Sequence, residues 1–321
     1  MAKFKGTGKM LIHINKHYYA RGKTGKGRFA ARLVRAWREM GIEVTEDQNA
    51  KADIALHIGR VNYSSKAKKH VLRVGPANID TNMNWKKINH EKAQSVKMVD
   101  AVVYQSRYSK KIYHRLVCRP DKPETIIFNG ADPRDYSNVE PYTSNFKYNF
   151  IASTRVWLKQ KRLKYIIRAF LEADIDDSYL IVCGDNQGIS KKYDHHDNIL
   201  FIGPVSDKVL ARLYKLCYAM IHLTYVDACP NSVVEAQVAG LPVICTDQGG
   251  TYEVLRYGRI LEDKQFKYNP INLDKPPEID RGMLVQTICK SLTWNFDKEL
   301  AKDLYIDNIA SQYLKFFERL L

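Results

Sequence analysis

The chain has 321 residues, 45% apolar and 27% charged, which is room for two globular domains and excludes a disordered or fibrous chain. Cys118, Cys183, Cys217, Cys229, Cys245 and Cys289 are scattered, with no C-x-x-C pair or Cys/His cluster, so a reducing compartment and no structural zinc are expected. No apolar run has the length of a membrane span or a signal peptide, and the expectation is a soluble cytoplasmic protein, peripheral to a membrane at most. The net charge of +16 is unevenly placed. Residues 1–120 hold 26 Lys and Arg against 8 Asp and Glu, leaving 25 against 27 in the rest. Such asymmetry points to a polyanionic partner, nucleic acid or an anionic membrane. A basic face that is merely solvated is the alternative.

Met10 to Ile14 read as a first strand, followed by a Lys-, Gly- and Tyr-rich loop and a helix from Arg28 to Trp37. On that helix Leu33, Val34 and Trp37 share one face, and Arg28, Arg32, Arg35 and Arg38 fall largely on the other. Gly22-Lys23-Thr24 is not a Walker A loop, because the glycine required five positions upstream is replaced by His17. Asp53 to Ile58 read as a buried strand ending near His57, and Val71 to Val74 as another, ending at a Gly75-Pro76 turn. Residues 92–99 and 108–115 read as helices flanking a strand at 100–104, and residues 126–128 as a strand that stops at Asn129-Gly130. Residues 133–146, polar and aperiodic, serve as a linker.

The second half alternates strand and helix, as a doubly wound parallel sheet requires. Residues 148–153, 180–183, 198–202, 219–223 and 241–245 are the strand candidates, with helices at 164–171, 209–217 and 233–239. Residues 258–281 read as irregular, 282–292 and 298–321 as helical. The turn after the 219–223 strand carries Asp227 and Glu235, separated by seven residues, at the strand's carboxyl end, where open α/β sheets bind ligands. Ser232-x-x-Glu235 is also a capping box, in which Glu235 would only bond the helix backbone.

Set in Cys229-Pro230-Asn231-Ser232-Val233-Val234-Glu235-Ala236, then Gly240-Leu241-Pro242-Val243-Ile244 and Gln248-Gly249-Gly250-Thr251-Tyr252-Glu253, this D-x7-E resembles the E-x7-E motif of family 4 retaining nucleotide-sugar glycosyltransferases. Asn129-Gly130-Ala131-Asp132, the Gln105-Ser106 turn, and Arg155 with Lys161 in the loop after the 148–153 strand resemble further segments of that family. The resemblance is firmest over residues 147–256. It implies a GT-B fold, two Rossmann-like doubly wound domains facing a central cleft. The first domain (1–140) would select the acceptor, the second (147–295) would hold the donor, and a C-terminal helix (296–321) would return to the first.

It also implies roles. Asp227 would accept hydrogen bonds from the donor sugar and Glu235 from the ribose, each as an ionised carboxylate. Here Asp replaces the family's first Glu, one methylene shorter. Arg155 and Lys161 would hold the diphosphate without a metal, aided by backbone N–H groups of Asn231, Ser232 and Val233 and of Gly249, Gly250 and Thr251. Gly25 and Gly27 resemble a glycine loop that lets backbone approach donor phosphates. On the acceptor side Lys23, Lys26, His57, Arg73, Asn78 and Asp80 are the candidates. No cofactor is implied beyond the donor, expected to be a UDP-sugar, and the product would keep the donor's configuration, whether hexosyl or pentosyl.

For the acceptor, Lys and Arg interleaved with aromatics (His17, Tyr18, Tyr19, Arg21, Lys23, Lys26; Tyr63, Lys66, Lys68, Lys69) favour nucleic acid, such as hydroxymethylated DNA bases. A membrane glycolipid or lipid-linked saccharide is the second expectation. A non-catalytic nucleic-acid binder is the third, disfavoured by the intact set Arg155, Lys161, Asp227 and Glu235.

Overall fold

A computed structural model describes residues 10–15, 24–61 and 63–321. The chain divides into two compact units: residues 1–131, 268–271 and 303–321 form one, and residues 132–267 and 272–302 the other. Among the described residues, each contains a six-stranded parallel sheet.

In the first unit β1 (Leu11–His13), α1 (Gly25–Glu39), β2 (Glu43–Thr45), β3 (Ile54–Gly59), β4 (Lys69–Val74), α2 (Trp85–Lys97), β5 (Ala101–Tyr104), α3 (Arg107–Leu116) and β6 (Glu124–Ile126) follow in order. The sheet order β2-β1-β3-β4-β5-β6 reverses direction between β1 and β3. β3 and β5 are buried along their whole length, as strands covered on both faces must be. Thr24 caps α1, its hydroxyl accepting from the Gly27 amide at 3.1 Å. The helix buries Phe29, Leu33, Val34 and Trp37, and Arg32 too is buried rather than on the solvent face.

In the second unit α4 (Arg134–Ser137), β7 (Tyr148–Val156), α5 (Leu163–Ala173), β8 (Ser178–Asp185), β9 (Ile199–Gly203), α6 (Asp207–Leu216), β10 (Ala219–His222), α7 (Asn231–Val238), β11 (Val243–Thr246), β12 (Gly258–Leu261) and α8 (Arg281–Ser291) build a sheet of order β12-β11-β10-β7-β8-β9. Its direction reverses between β7 and β10. β12 lies inside the stretch read as irregular and pairs in parallel with β11. Gly258, at φ +130°, makes the pairing possible, since a Cβ there would lie 2.0 Å from the Val243 carbonyl oxygen.

The final helix α9 (Ile306–Glu318) belongs to the first unit and shares a core with α1. Trp37 packs edge-on to Tyr313 at 6.0 Å and donates its indole N–H to the Ala310 carbonyl. Gly130 admits this helix: a Cβ there would meet Ile309 at 2.9 Å and the Ile306 Cα at 3.1 Å. The first unit closes at Ala131 rather than near residue 140, and takes back the short segment 268–271, whose Ile271 bridges to Asp80.

Candidate functional site

The carboxyl ends of β7 and β10 flank the point where the second sheet reverses, and the loops leaving them diverge there. The loop after β7 makes a 3-10 turn at Lys159–Lys161, then turns sharply at Arg162, φ +59°. Lys161 donates from Nζ to the Thr154 hydroxyl at the end of β7. The loop after β10 runs from Leu223 to Pro230 and is tied to the first, with the Tyr225 amide donating to the Gln160 carbonyl at 2.9 Å. Arg162 locks both. Its guanidinium pairs with Asp263, both side chains fully buried, donates to the Pro277 carbonyl at 2.8 Å, and lies 5.0 Å from the Tyr225 ring centre.

Asp227 is therefore held beside Lys161. Burial raises the Asp227 carboxyl above the ordinary aspartate value, opposed by the Lys161 charge and by the amides of Cys229 and Ala228. Burial likewise lowers the Lys161 ammonium, and Asp227 partly restores it. His222, at the end of β10, is lowered to about 3 by burial and by Lys161, so it stays neutral, and its Nε2 has no partner. The backbone beneath Asp227 is fixed from the other side. Val226 has φ +58°, the Gly250 amide donates to the Asp227 carbonyl at 2.6 Å, and a Cβ on Gly249 would lie 2.7 Å from that carbonyl. Only glycine fits at position 249.

α7 begins at Asn231, with Pro230 as its cap residue and no side-chain cap bond. Ser232 is thus inside the helix, and the capping box is not formed. Glu235 is 2% exposed, beside Tyr214, whose phenol it helps raise well above the usual value after burial. Two of the expected amide donors are already engaged: Val233 donates to the Pro230 carbonyl and Gly250 to Asp227. Asn231 and Ser232 open the first turn of α7. Thr251 is buried, and its hydroxyl has no partner. Arg155, on the irregular end of β7, is exposed.

The remaining candidates lie in the first unit. Lys23, with His17, Tyr18, Tyr19 and Arg21, falls outside the described residues. Gly25 and Gly27 form the first turn of α1 rather than an open loop. His57 is fully buried on the sheet face, with Nε2 3.0 Å from His70 Nδ1 and its ring stacked on Tyr63, so it cannot meet an acceptor. Asn78 and Asp80 build a turn: the Asn78 side chain accepts from the Asp80 amide, and Asn78 exchanges bonds with Asn89. Arg73 is buried, bonded to Asn129 and stacked 4.1 Å from the Phe29 ring centre. Lys26 sits on the first turn of α1, over the ends of β3 and β4.

Sequence reasoning passed over Arg162, Asp263 and His222. Arg162 lies within the basic loop, but its partner is 101 residues away. No local signal links the two.

Residues 138–265 match the family described as Glycosyl transferases group 1. Over 158 residues, 45% of this chain, the sequence is 25% identical to N-acetyl-alpha-D-glucosaminyl L-malate synthase of Bacillus anthracis, of which the match spans 41%. Sucrose-phosphate synthase from Thermosynechococcus elongatus has a similar structure, at TM-score 0.72 and 14% identity over 98% of this chain and 99% of that one. Anabaena HepE in complex with UDP is similar at TM-score 0.61 and 13% identity, over 97% of this chain and 98% of that one. The chain thus has the GT-B fold of these glycosyltransferases, and its residues 138–265 match the glycosyl transferases group 1 family.

Proposed function

We propose that the protein is a glycosyltransferase that moves a hexosyl or pentosyl group from a UDP-sugar to an acceptor hydroxyl, with retention and without a metal. The observation that carries this is the Tyr225–Gln160 hydrogen bond that ties together the loops bearing Asp227 and Lys161 at the β7/β10 crevice, in a segment that matches the group 1 family. The HepE structure, similar in fold, holds UDP. As the glycosidic bond breaks, the leaving diphosphate gains negative charge, which Lys161 and Arg155 stabilise. Asp227, as a carboxylate, orients the sugar by accepting from its hydroxyls, and Glu235 serves the ribose. His222, neutral at working pH, adds no opposing charge.

The acceptor is carried on an anion, because the basic excess lies in residues 1–120. Hydroxymethylated DNA bases are the polymeric form. A small anionic acceptor is the second reading, favoured by the name of the malate synthase to which the chain is similar. Among the described residues no helix is long and apolar enough to cross a membrane.

Calorimetry with UDP and UDP-sugars in the presence of EDTA tests the donor assignment. Wild type binds, and Lys161→Met weakens binding by about tenfold or more, the worth of one charge-assisted hydrogen bond. Absence of UDP-sugar binding, or equal binding by the variant, overturns it. Salt series with duplex DNA and anionic vesicles then separate the acceptors, since phosphate contacts give a steep salt dependence.

A further inference from the structure

The first unit gathers a second concentration of charge that donor binding does not use. Its sheet reverses between β1 and β3, and the first turn of α1 meets the ends of β3 and β4 beside that switch point. Lys26, on that turn, lays its ammonium over two glycines. A Cβ on Gly59 would lie 2.8 Å from Lys26 Nζ, and one on Gly75 3.4 Å from it. The glycines leave that space to the cation instead of filling it. Lys92, from α2, donates to the carbonyl of Pro76, the neighbour of Gly75. Arg60 follows Gly59 directly, and Arg73, 2% exposed, is the next-to-last residue of β4, two before Gly75.

Four cations from four elements therefore converge at the positive end of a 15-residue helix. Two of them meet neutral partners. Arg73 bonds the neutral side chain of Asn129 and leaves its buried Nε without a partner, and Lys92 bonds a neutral carbonyl. Arg60 meets a carboxylate, Glu91, at 2.6 Å. Burial and the neighbouring charges both act on the amines. Lys26 is lowered by burial, then by Arg73 and Arg60, and Lys92 is lowered to about 8 by burial, then by Lys26 and Arg60. Like charges held together with neutral partners destabilise a fold, and a bound anion removes that cost.

We propose that Lys26, Lys92 and Arg60 form a cradle for one oxyanion, a phosphate or carboxylate group, with buried Arg73 adding its charge from within the fold, and that this group belongs to the acceptor. Its second clause rests on the glycosyltransferase reading, and the anion site itself does not. A compact cluster over a glycine floor fits one tetrahedral or planar oxyanion, from a small molecule or from one backbone phosphate of a nucleic acid.

Trace acetylation of the full-length protein at pH 8, read by peptide mass spectrometry, tests it with inorganic phosphate as the probe. Phosphate is expected to slow modification of Lys26 and Lys92 together, with exposed Lys208 of the second unit as the unaffected reference. In Lys26→Gln, half-protection of Lys92 shifts to about tenfold more phosphate, and UDP affinity in the same samples is unchanged. Unprotected amines at about 100 mM phosphate, far above an oxyanion site's working range, or equal protection in the variant, overturns the cradle. Competition identifies the source. A phosphomonoester or dicarboxylate protecting with a shallow salt slope assigns a small acceptor, and duplex DNA protecting with a steep one assigns a backbone phosphate. Lost UDP binding with phosphate protection intact would remove the donor assignment alone.

Discussion

At Asp227, burial and charge oppose each other, and burial wins, leaving the carboxyl raised. A raised carboxyl binds its proton earlier as pH falls. Donor affinity is thus expected to decline on acidification at a pH above the ordinary aspartate value of 3.8. Asp227→Asn keeps the oxygen that accepts from the Cys229 amide, yet loses the charge. It should bind donor about tenfold more weakly, with no acid limb, and melt at the same temperature or higher, because the folded protein no longer holds an unfavourable charge. Calorimetry across pH and a thermal melt check both halves. A drop in melting temperature with unchanged affinity would make Asp227 structural. Glu235 reads differently, since its helix begins at Asn231 and denies it the capping role that Ser232 seemed to offer.

The elements around the crevice are held by contacts distant in sequence. Arg162 and Asp263 join the loop after β7 to the segment following β12, and Gln237 does the same for the end of α7. The Gln237 side chain donates to the carbonyls of Leu241 and Tyr257 and accepts from the Tyr257 amide at 3.0 Å, which fixes the turn into β11. Removing one member of a fully buried ion pair strands the other. Arg162→Met is expected to cost about 3–5 kcal/mol in chemical denaturation, and Arg162→Met with Asp263→Leu to recover part of it. A double variant no more stable than the single one would locate the cost in packing against Tyr225 instead.

For the whole molecule, buried histidines tie stability to pH, His57 and His222 most strongly. His57 and His222 are each lowered to about 3 from 6.5, chiefly by burial. Between those values the unfolded chain binds more protons. Stability is complete above pH 6.5 and falls as pH falls toward 3, by about 2 kcal/mol per histidine at pH 5. His57→Gln should flatten this slope in urea titrations of the first unit's unfolding, and an unchanged slope would mean the ring is already charged in the fold.

Local chemistry alone settled much of this. Apolar runs such as 219–223 and 241–245 become buried strands because a sheet covered on both faces asks for nothing else. The D-x7-E spacing with its Gly-Gly loop marked the crevice, since Gly249 serves a close backbone approach that admits no other residue. Local chemistry misled where two outcomes share one pattern. Ser232-x-x-Glu235 resembled a cap, His57 lay within a strand buried along its whole length, and β12 was flanked by polar residues. Everything that depends on strand order lay beyond sequence reading. The pairing of Arg162 with Asp263, the approach of the loops that carry Lys161 and Asp227, and the gathering of Lys26, Arg60, Arg73 and Lys92 depend on the strand order set by each sheet's reversal. The packing of whole elements chooses that reversal, not any stretch of neighbouring residues.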